Sequence, residues 1–417
     1  WRVLIAMAAQ QNIPPVFVEG LDVSAYGITR SVGRHGVPVY ALNDHLRDPL
    51  RFSRYIRDCI IYPDDPTQPR AYAGDSVANE DVLCQLLLEW GKRLQTKSVL
   101  FATSDWFARF LSSRQQELAP YFLFHWVPWD LFNTIVDKGR MVQFCRSVGV
   151  KVPRTHITQP GDDMAAITRD FVYPCLVKPI HRYTAGFPVE TAKVLIAQTP
   201  EQAQGFFARY PQLSGATLMQ ELIEGADDQV FQYTALVNNR DEVAAYSTVR
   251  KLRQYPPGYG SMCYGQTERN EELAAEGDKL IRALGYRGLG SIEFKRRQRD
   301  GRYYFIEMNT RLPWYNGIFA DAGVNLPYLA YLDLTGQNTN IAATQRDLTT
   351  WVGYHNYAGC FRETNRQIGW GKFAASVASS RSYAWWNWSD PKPFWASGLL
   401  AARRSAGSLL RRLKLRR

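Results

Sequence analysis

Ser291 to Arg311 reads SIEFKRRQRDGRYYFIEMNTR. Two runs, Ser291 to Gln298 and Tyr303 to Asn309, flank Arg299-Asp300-Gly301. This predicts a β-hairpin with a three-residue loop and Gly301 in the left-handed conformation. That loop length sets the register. Glu293 falls opposite Glu307, and Asn309 lies one pleat further along the same face, with Phe305 sharing it. Two carboxylates and a carboxamide then converge, and Arg311 follows just beyond. Adjacent carboxylates repel unless a cation sits between them. Oxygen-only ligands suit a hard ion, and Mg2+ held by carboxylates plus substrate phosphates is the natural occupant. A charged hairpin with a solvated face is the competing reading.

A hairpin needs a body to bury its other face. The chain has 417 residues, 46% hydrophobic and 21% charged, which is an ordinary globular composition with room for two or three domains. No apolar run reaches membrane-spanning length. Val3 to Ala9 is apolar but too short for a signal-peptide core. Six scattered cysteines without a CxxC pair read as reduced, mostly buried thiols of a cytoplasmic protein. The six histidines have no ligand spacing, which argues against zinc.

Upstream, residues 14–64 alternate strand and helix. Pro15 to Gly20 and Val37 to Ala41 read as strands around a helix from Ser24 to His35, predicting a parallel sheet. Gly20 and Gly27 lack the spacing of a dinucleotide loop. Strands follow at Tyr55 to Tyr62 and Val99 to Ala102, with a helix at Val82 to Leu94. Asp105, just past the Val99 strand, reads as a helix N-cap ahead of a substrate contact. One helix is expected from Thr134 to Gly149, carrying Lys138. Tyr173 to Pro179 is a strand presenting Lys178, a lysine costly to bury unless it meets an anion, though one that could equally reach solvent. His181 to Val189 holds a single glycine and reads as a flap. Thr217 to Gly225 is a strand entering a turn. Antiparallel strands follow at Phe231 to Asn238 and Val243 to Leu252, then loop chemistry at Tyr255 to Gly260. Asn270 to Leu284 is a helix.

The ordered set Lys138, Lys178, the strand–turn from Met219 to Gly225, Glu293, Glu307 and Asn309 resembles the ATP-grasp superfamily. The resemblance implies an α/β architecture (α+β lobes). Residues 1–133 would form a parallel-sheet pre-ATP-grasp domain, 134–218 the small lobe and 219–336 the large lobe. It also implies roles. Lys138 and Lys178 would contact ATP phosphates, Glu221 and Ile223 would line the adenine, and Asp228, or less well Asp227, would meet the ribose. Glu293, Glu307 and Asn309 would hold Mg2+, or Mn2+ in its place. Arg311, with one or more of Arg250, Lys251 and Arg253, would face the γ-phosphate or the acid substrate. RKLRQYPPGYG, IEMNTRL and RSVGRHGVPVYAL are similar to the carboxylate–amine ligase group that includes D-aspartate ligase. Its implied partners are a small-molecule carboxylate and an amine. Activation of the acid as an acyl phosphate would be followed by amide formation, with positioning and electrostatics as the main catalytic devices. The thin flap departs from the family pattern, as does Leu312-Pro313-Trp314 after Arg311. A carboxylase-type or phosphoryl-transferring relative, and a nucleotide-binding scaffold docked on a membrane, are the alternatives.

Residues 337–390 are aromatic-rich and read as an appended core or a cover over the site. Residues 391–417 form a basic tail with no acid after Asp390. As a helix, 394–417 would be amphipathic and would suit peripheral contact with an anionic membrane at the inner surface. A basic tail without structure is the alternative. Specific nucleic-acid binding is not expected, because no binding module accompanies the charge.

Overall fold

The computed structural model describes residues 13–46, 48–63, 79–94, 96–181, 187–188, 194–258, 260–337, 343–364 and 368–400. The chain opens on β1 (Val16–Glu19), α1 (Val23–Gly33), β2 (Val39–Asn43), β3 (Ile56–Ile61), α2 (Glu80–Arg93), β4 (Ser98–Phe101), α3 (Asp105–Ser113) and β5 (Phe122–Leu123). The five strands form one sheet in the order β3-β2-β1-β4-β5, all parallel. β1 and β2 are buried along their whole length, as expected where helices cover both faces. Gly27 in α1 is a packing residue. A Cβ there would meet the Asn316 side chain and the Gly317 nitrogen, so the absence of a side chain lets α1 lie against that segment. Arg30 of α1 then pairs with Asp321 at 2.7 Å in a buried contact.

Two helices follow, α4 (Trp129–Val136) and α5 (Lys138–Ser147), in place of the single helix expected over this stretch. The break is at Asp137, whose side chain caps the second helix by accepting from Arg140 N. Lys138 thereby becomes the first helical residue of α5. The small sheet β6 (Thr155–Ile157), β7 (Cys175–Pro179), β8 (Leu195–Ala197) and β9 (Thr217–Glu221) has the order β6-β9-β7-β8 and is antiparallel. It is backed by α6 (Pro200–Arg209), which buries Ala203, Phe206 and Phe207. Most of the expected flap at 181–189 lies outside the described residues.

The large sheet comprises β10 (Val230–Val237), β11 (Val243–Tyr255), β12 (Ser261–Thr267), β13 (Gly288–Arg296), β14 (Tyr303–Asn309), β15 (Thr350–Val352) and β16 (Ser382–Tyr383). Their order is β14-β13-β10-β11-β12-β15-β16. β11 runs on to Tyr255, three residues past its expected end, and β12 follows the expected loop, over residues to which the sequence assigned no element. α7 (Glu271–Leu284) packs on one face, closed by Gly285 in the left-handed conformation. α8 (Gly317–Asp321) and α9 (Leu326–Leu334) lie between the large sheet and α1. The aromatic-rich stretch continues this body: β15 pairs with β12, Trp351 is fully buried, and α10 (Tyr354–Glu363) packs on β11 and β12. A further helix, α11 (Trp370–Ser379), precedes β16. No helix among the described residues is long and apolar enough to cross a membrane.

Candidate active site

The β13–β14 hairpin pairs Glu293 with Glu307 and Ser291 with Asn309. Gly301 has φ 69°, the left-handed value the loop needs. The route to that register differs from the simple one. Near the turn Arg296 pairs with Tyr303, and Arg297 N donates to Arg302 O, so the loop is one residue longer than expected. A bulge between the Phe294–Phe305 and Glu293–Glu307 pairs takes up the extra residue. The bulge also switches faces. Phe305 packs with Ile292, Phe294 and Met308 in the core and does not share the face of Glu307 and Asn309.

Asn309 Nδ2 lies 3.4 Å from Glu307 Oε1. Lys251, on the same face two strands away, donates its Nζ to Glu293 Oε2. From the small sheet, Lys178 is 8% exposed and its Nζ donates to Gln220 Oε1 at 2.8 Å. Burial pushes its pKa down to about 8, and neighbouring Lys138 adds to the fall, while Glu307 and Glu293 oppose it. The two lobes therefore bring two lysines and two carboxylates within electrostatic reach. Lys138 Nζ donates to the carbonyls of Pro179 and Ile180 at 3.1 and 3.2 Å.

Other expected site residues are placed differently. Arg250 lies on the opposite face of β11 from Lys251. There it covers Phe231 at 5.5 Å and pairs with Asp228 at 3.2 Å and Glu268 at 3.5 Å. Arg253 sits between two bulges of β11; Nη1 donates to Leu252 O, and its charge acts on Tyr264, Tyr357 and Cys360 at the α10 side. It is not brought to the carboxylate pair. Asp227 accepts from Gln254 N and Nε2 and from Gly258 N, holding the loop after β11. The Glu221 carboxylate is taken up by Arg297 at 2.7 Å and Arg154 N at 3.1 Å, which leaves the strand end as the route to any base contact. Ile223 beside it is buried.

Arg311 Nε donates to Asp105 Oδ1 at 2.6 Å. Burial opposes the guanidinium charge, and Asp105, Glu307 and Glu19 outweigh it. The cap of α3 is Ser104, whose Oγ accepts from Phe107 N, so Asp105 is free of the capping role expected for it. Glu19 at the end of β1 accepts from Thr103 N and Oγ1 and from Ser104 N. Burial raises the pKa of both Glu19 and Asp22. These groups sit at the carboxyl edge of the parallel sheet, where α/β sheets offer their binding crevice. Sequence reading missed Lys295, which alternates with Glu293 on β13 and whose pKa burial lowers. It also missed Tyr315, buried beside Glu293 and Glu307, with a hydroxyl that has no hydrogen-bond partner among the described residues. The period of two could have found Lys295; nothing local points to Tyr315.

The donor set fits Mg2+. Among the described residues no three or more His, Cys, Asp or Glu side chains are grouped for a metal. Two carboxylates with an amide nevertheless have the composition of a Mg2+ site that substrate phosphates complete.

The antiparallel small sheet, the large sheet carrying paired acids and the lysines facing them define an ATP-grasp fold. Residues 264–323 match the family model "Carbamoyl-phosphate synthase L chain, ATP binding domain". The chain is 23% identical over 304 residues to D-aspartate ligase of Enterococcus faecium (strain Aus0004), covering 70% of each chain. It superposes with a TM-score of 0.60 at 15% identity on the biotin carboxylase domain of Hydrogenobacter thermophilus 2-oxoglutarate carboxylase, a structure that contains MgADP, covering 82% of this chain and 74% of that one. The L-amino acid ligase of Bacillus licheniformis gives 0.58 at 15% identity, covering 81% and 78%. The two structural matches are likenesses of fold. The chain has the ATP-grasp fold and resembles the carboxylate–amine ligases.

Proposed function

We propose that the protein is an ATP-dependent carboxylate–amine ligase requiring Mg2+. The observation that carries this reading is the Glu293–Glu307 pair on the large sheet, within electrostatic reach of Lys178 from the small lobe, which in turn neighbours Lys138. On this reading Lys138 and Lys178 bind ATP phosphates, the backbone around Glu221 to Ile223 meets the adenine, and Asp228 the ribose. Glu293, Glu307 and Asn309 hold Mg2+, with Mn2+ able to replace it. Bound there, the ion supplies positive charge to the phosphate oxygens. Lys251 pairs with Glu293 and holds it in place, and Arg311 meets the acid substrate or the γ-phosphate.

A carboxylate oxygen of the acid attacks the γ-phosphorus, and the bond to the ADP oxygen breaks. The amine then attacks the acyl carbon, inorganic phosphate leaves, and the amine proton is lost. No protein nucleophile takes part. The chain's contribution is to align the reactants and stabilise charge in a site closed to water. Arg250 holds Asp228 in place through their ion pair, and Arg253 braces the bulged end of β11.

The test is phosphate release from Mg-ATP across a panel of amino acids, with hydroxylamine present to trap an acyl phosphate as a hydroxamate. Acid-dependent release with hydroxamate formation supports the ligase. ATP hydrolysis that ignores every acid and amine, envelope precursors included, counts against it. The biotin carboxylase likeness supplies architecture alone, so the carboxylase alternative gains nothing from it. We further propose a cytoplasmic location, in keeping with the six free thiols, and peripheral contact of 394–417 with an anionic membrane, supported by the run of basic residues.

A further inference from the structure

We propose that Trp388, Trp395 and Leu399 form a preorganised insertion face for an anionic lipid bilayer. This deepens the membrane reading of 394–417 and rests on it; Trp395 and Leu399 lie within that segment, Trp388 lies outside it, and all three are described residues. Trp388 is 86% exposed, Trp395 67% and Leu399 55%. Large apolar side chains displayed this openly on a folded surface mark a contact site when they lie together.

They are held together by a rigid support. Residues 392–400 are helical. On the inner side Phe394 packs on Tyr354 at 5.6 Å and Trp386 at 5.1 Å, and buried Ser397 meets the Tyr354 hydroxyl. Trp395 and Leu399, four residues apart, fall on one side of this helix and point outward. Trp388 stands edge-on to Trp386 at 5.0 Å, which joins the turn before the helix to the same support. That turn is pinned to the N-terminal sheet domain: buried Asp390 accepts from Arg54 N at 3.0 Å, and Arg54 Nη1 donates to Ser389 O at 3.2 Å. Three apolar groups are thus exposed on a framework braced by ring contacts and hydrogen bonds.

The surrounding charge selects the occupant. Arg54 and Lys392 are exposed at the edge of this face, and Asp390, the last acid of the chain, is buried. The sequence from 401 to 417 adds seven Lys and Arg and no acid. Indole side chains settle at the headgroup level of a bilayer, and basic residues are drawn to anionic lipid. Neither signal is strong alone; together they give stable peripheral binding. A second copy of the chain is disfavoured as the occupant, because pairing these faces would bring two such basic segments together.

The experiment uses the full chain with phosphatidylcholine vesicles, with and without phosphatidylglycerol, and with brominated acyl chains as quenchers of tryptophan fluorescence. Co-sedimentation is expected with the anionic vesicles only, with quenching. The double variant Trp388→Ser/Trp395→Ser should bind about tenfold more weakly and lose the additional quenching. Matching circular dichroism and ATP turnover would show that both proteins are folded. Wild-type binding without quenching, and equal to that of the double variant, overturns the insertion face while leaving the basic-tail reading standing. Truncation after Leu400 tests that reading separately: salt-insensitive binding of equal strength without residues 401–417 removes it. Self-association that the tryptophan substitutions abolish, in the absence of vesicle binding, assigns the face to a second copy and also overturns the proposal.

Discussion

Lys251 and Glu293 form an ion pair between β11 and β13, and the lysine is 4% exposed. Glu293 is thereby tied on both sides: to a buried ammonium, and to Glu307 across the hairpin. The two acids should respond differently to neutralisation. Glu293→Gln leaves a buried ammonium without its counter-charge and should lower stability by ~2 kcal/mol. Glu307→Gln relieves like-charge repulsion and should leave the denaturation midpoint unchanged or raised. Both should reduce Mg-ATP turnover at least a hundredfold. Undiminished turnover by Glu307→Gln would falsify the metal assignment.

Lys178 gives a pH signature. Its folded pKa of about 8 lies below the ordinary 10.5. Between those values the unfolded chain holds more protons than the native one, so this residue's contribution to stability rises with pH across that window and is at its worst below 8. Lys178→Met should flatten the rise, seen as the difference between wild-type and variant urea midpoints at pH about 7 and about 10. ATP binding requires the ammonium, so wild-type affinity should fall as pH climbs past 8. The same pH slope in both proteins would rule Lys178 out as the source.

Arg311 and Asp105 are 206 residues apart in sequence and join the large sheet to the N-terminal sheet. On the ligase reading Asp105 is a positioning residue for Arg311. Asp105→Asn should raise KM for the acid about tenfold with little change in KM for ATP, because a hydrogen bond survives while the charge is lost. Arg311→Ala should lower kcat/KM at least a hundredfold. Equal effects of Asp105→Asn on both substrates would point to general loosening of the interface instead.

Arg297 clasps the two lobes, donating to Glu221 Oε1 at 2.7 Å and to the Tyr304 hydroxyl at 2.6 Å. Arg297→Leu leaves Glu221, which is mostly buried, without its guanidinium partner and held by the Arg154 N–H, and should cost ~3 kcal/mol. Reversal of that loss in the double variant Arg297→Leu/Glu221→Leu would assign it to the unpaired carboxylate; a further loss of similar size would assign it to packing.

The hairpin shows how far local pattern reaches. The pairing of Glu293 with Glu307 was legible from strand period and turn chemistry, though it holds because a bulge offsets a loop one residue longer than that chemistry predicts. The bulge that moves Phe305 to the core face was not, since it depends on the apolar surface waiting beneath it. The split between α4 and α5 had a local sign in Asp137, a good cap inside an otherwise helical run. β15 offered no such sign: three residues become a strand only because β12 presents a free edge.

The sequence by itself determined most of the strands and helices, the parallel N-terminal sheet, and the hairpin that pairs Glu293 with Glu307. These follow from periodicities of two and 3.6 and from the spacing of a few polar residues. The tertiary structure decided which charges meet. It gave Lys251 to Glu293, Asp105 to Arg311 and Arg297 to Glu221, and turned Arg250 and Arg253 away from the carboxylate pair. Those pairings join residues tens to hundreds of positions apart. They depend on bulges, sheet faces and packing, which no local window of sequence contains.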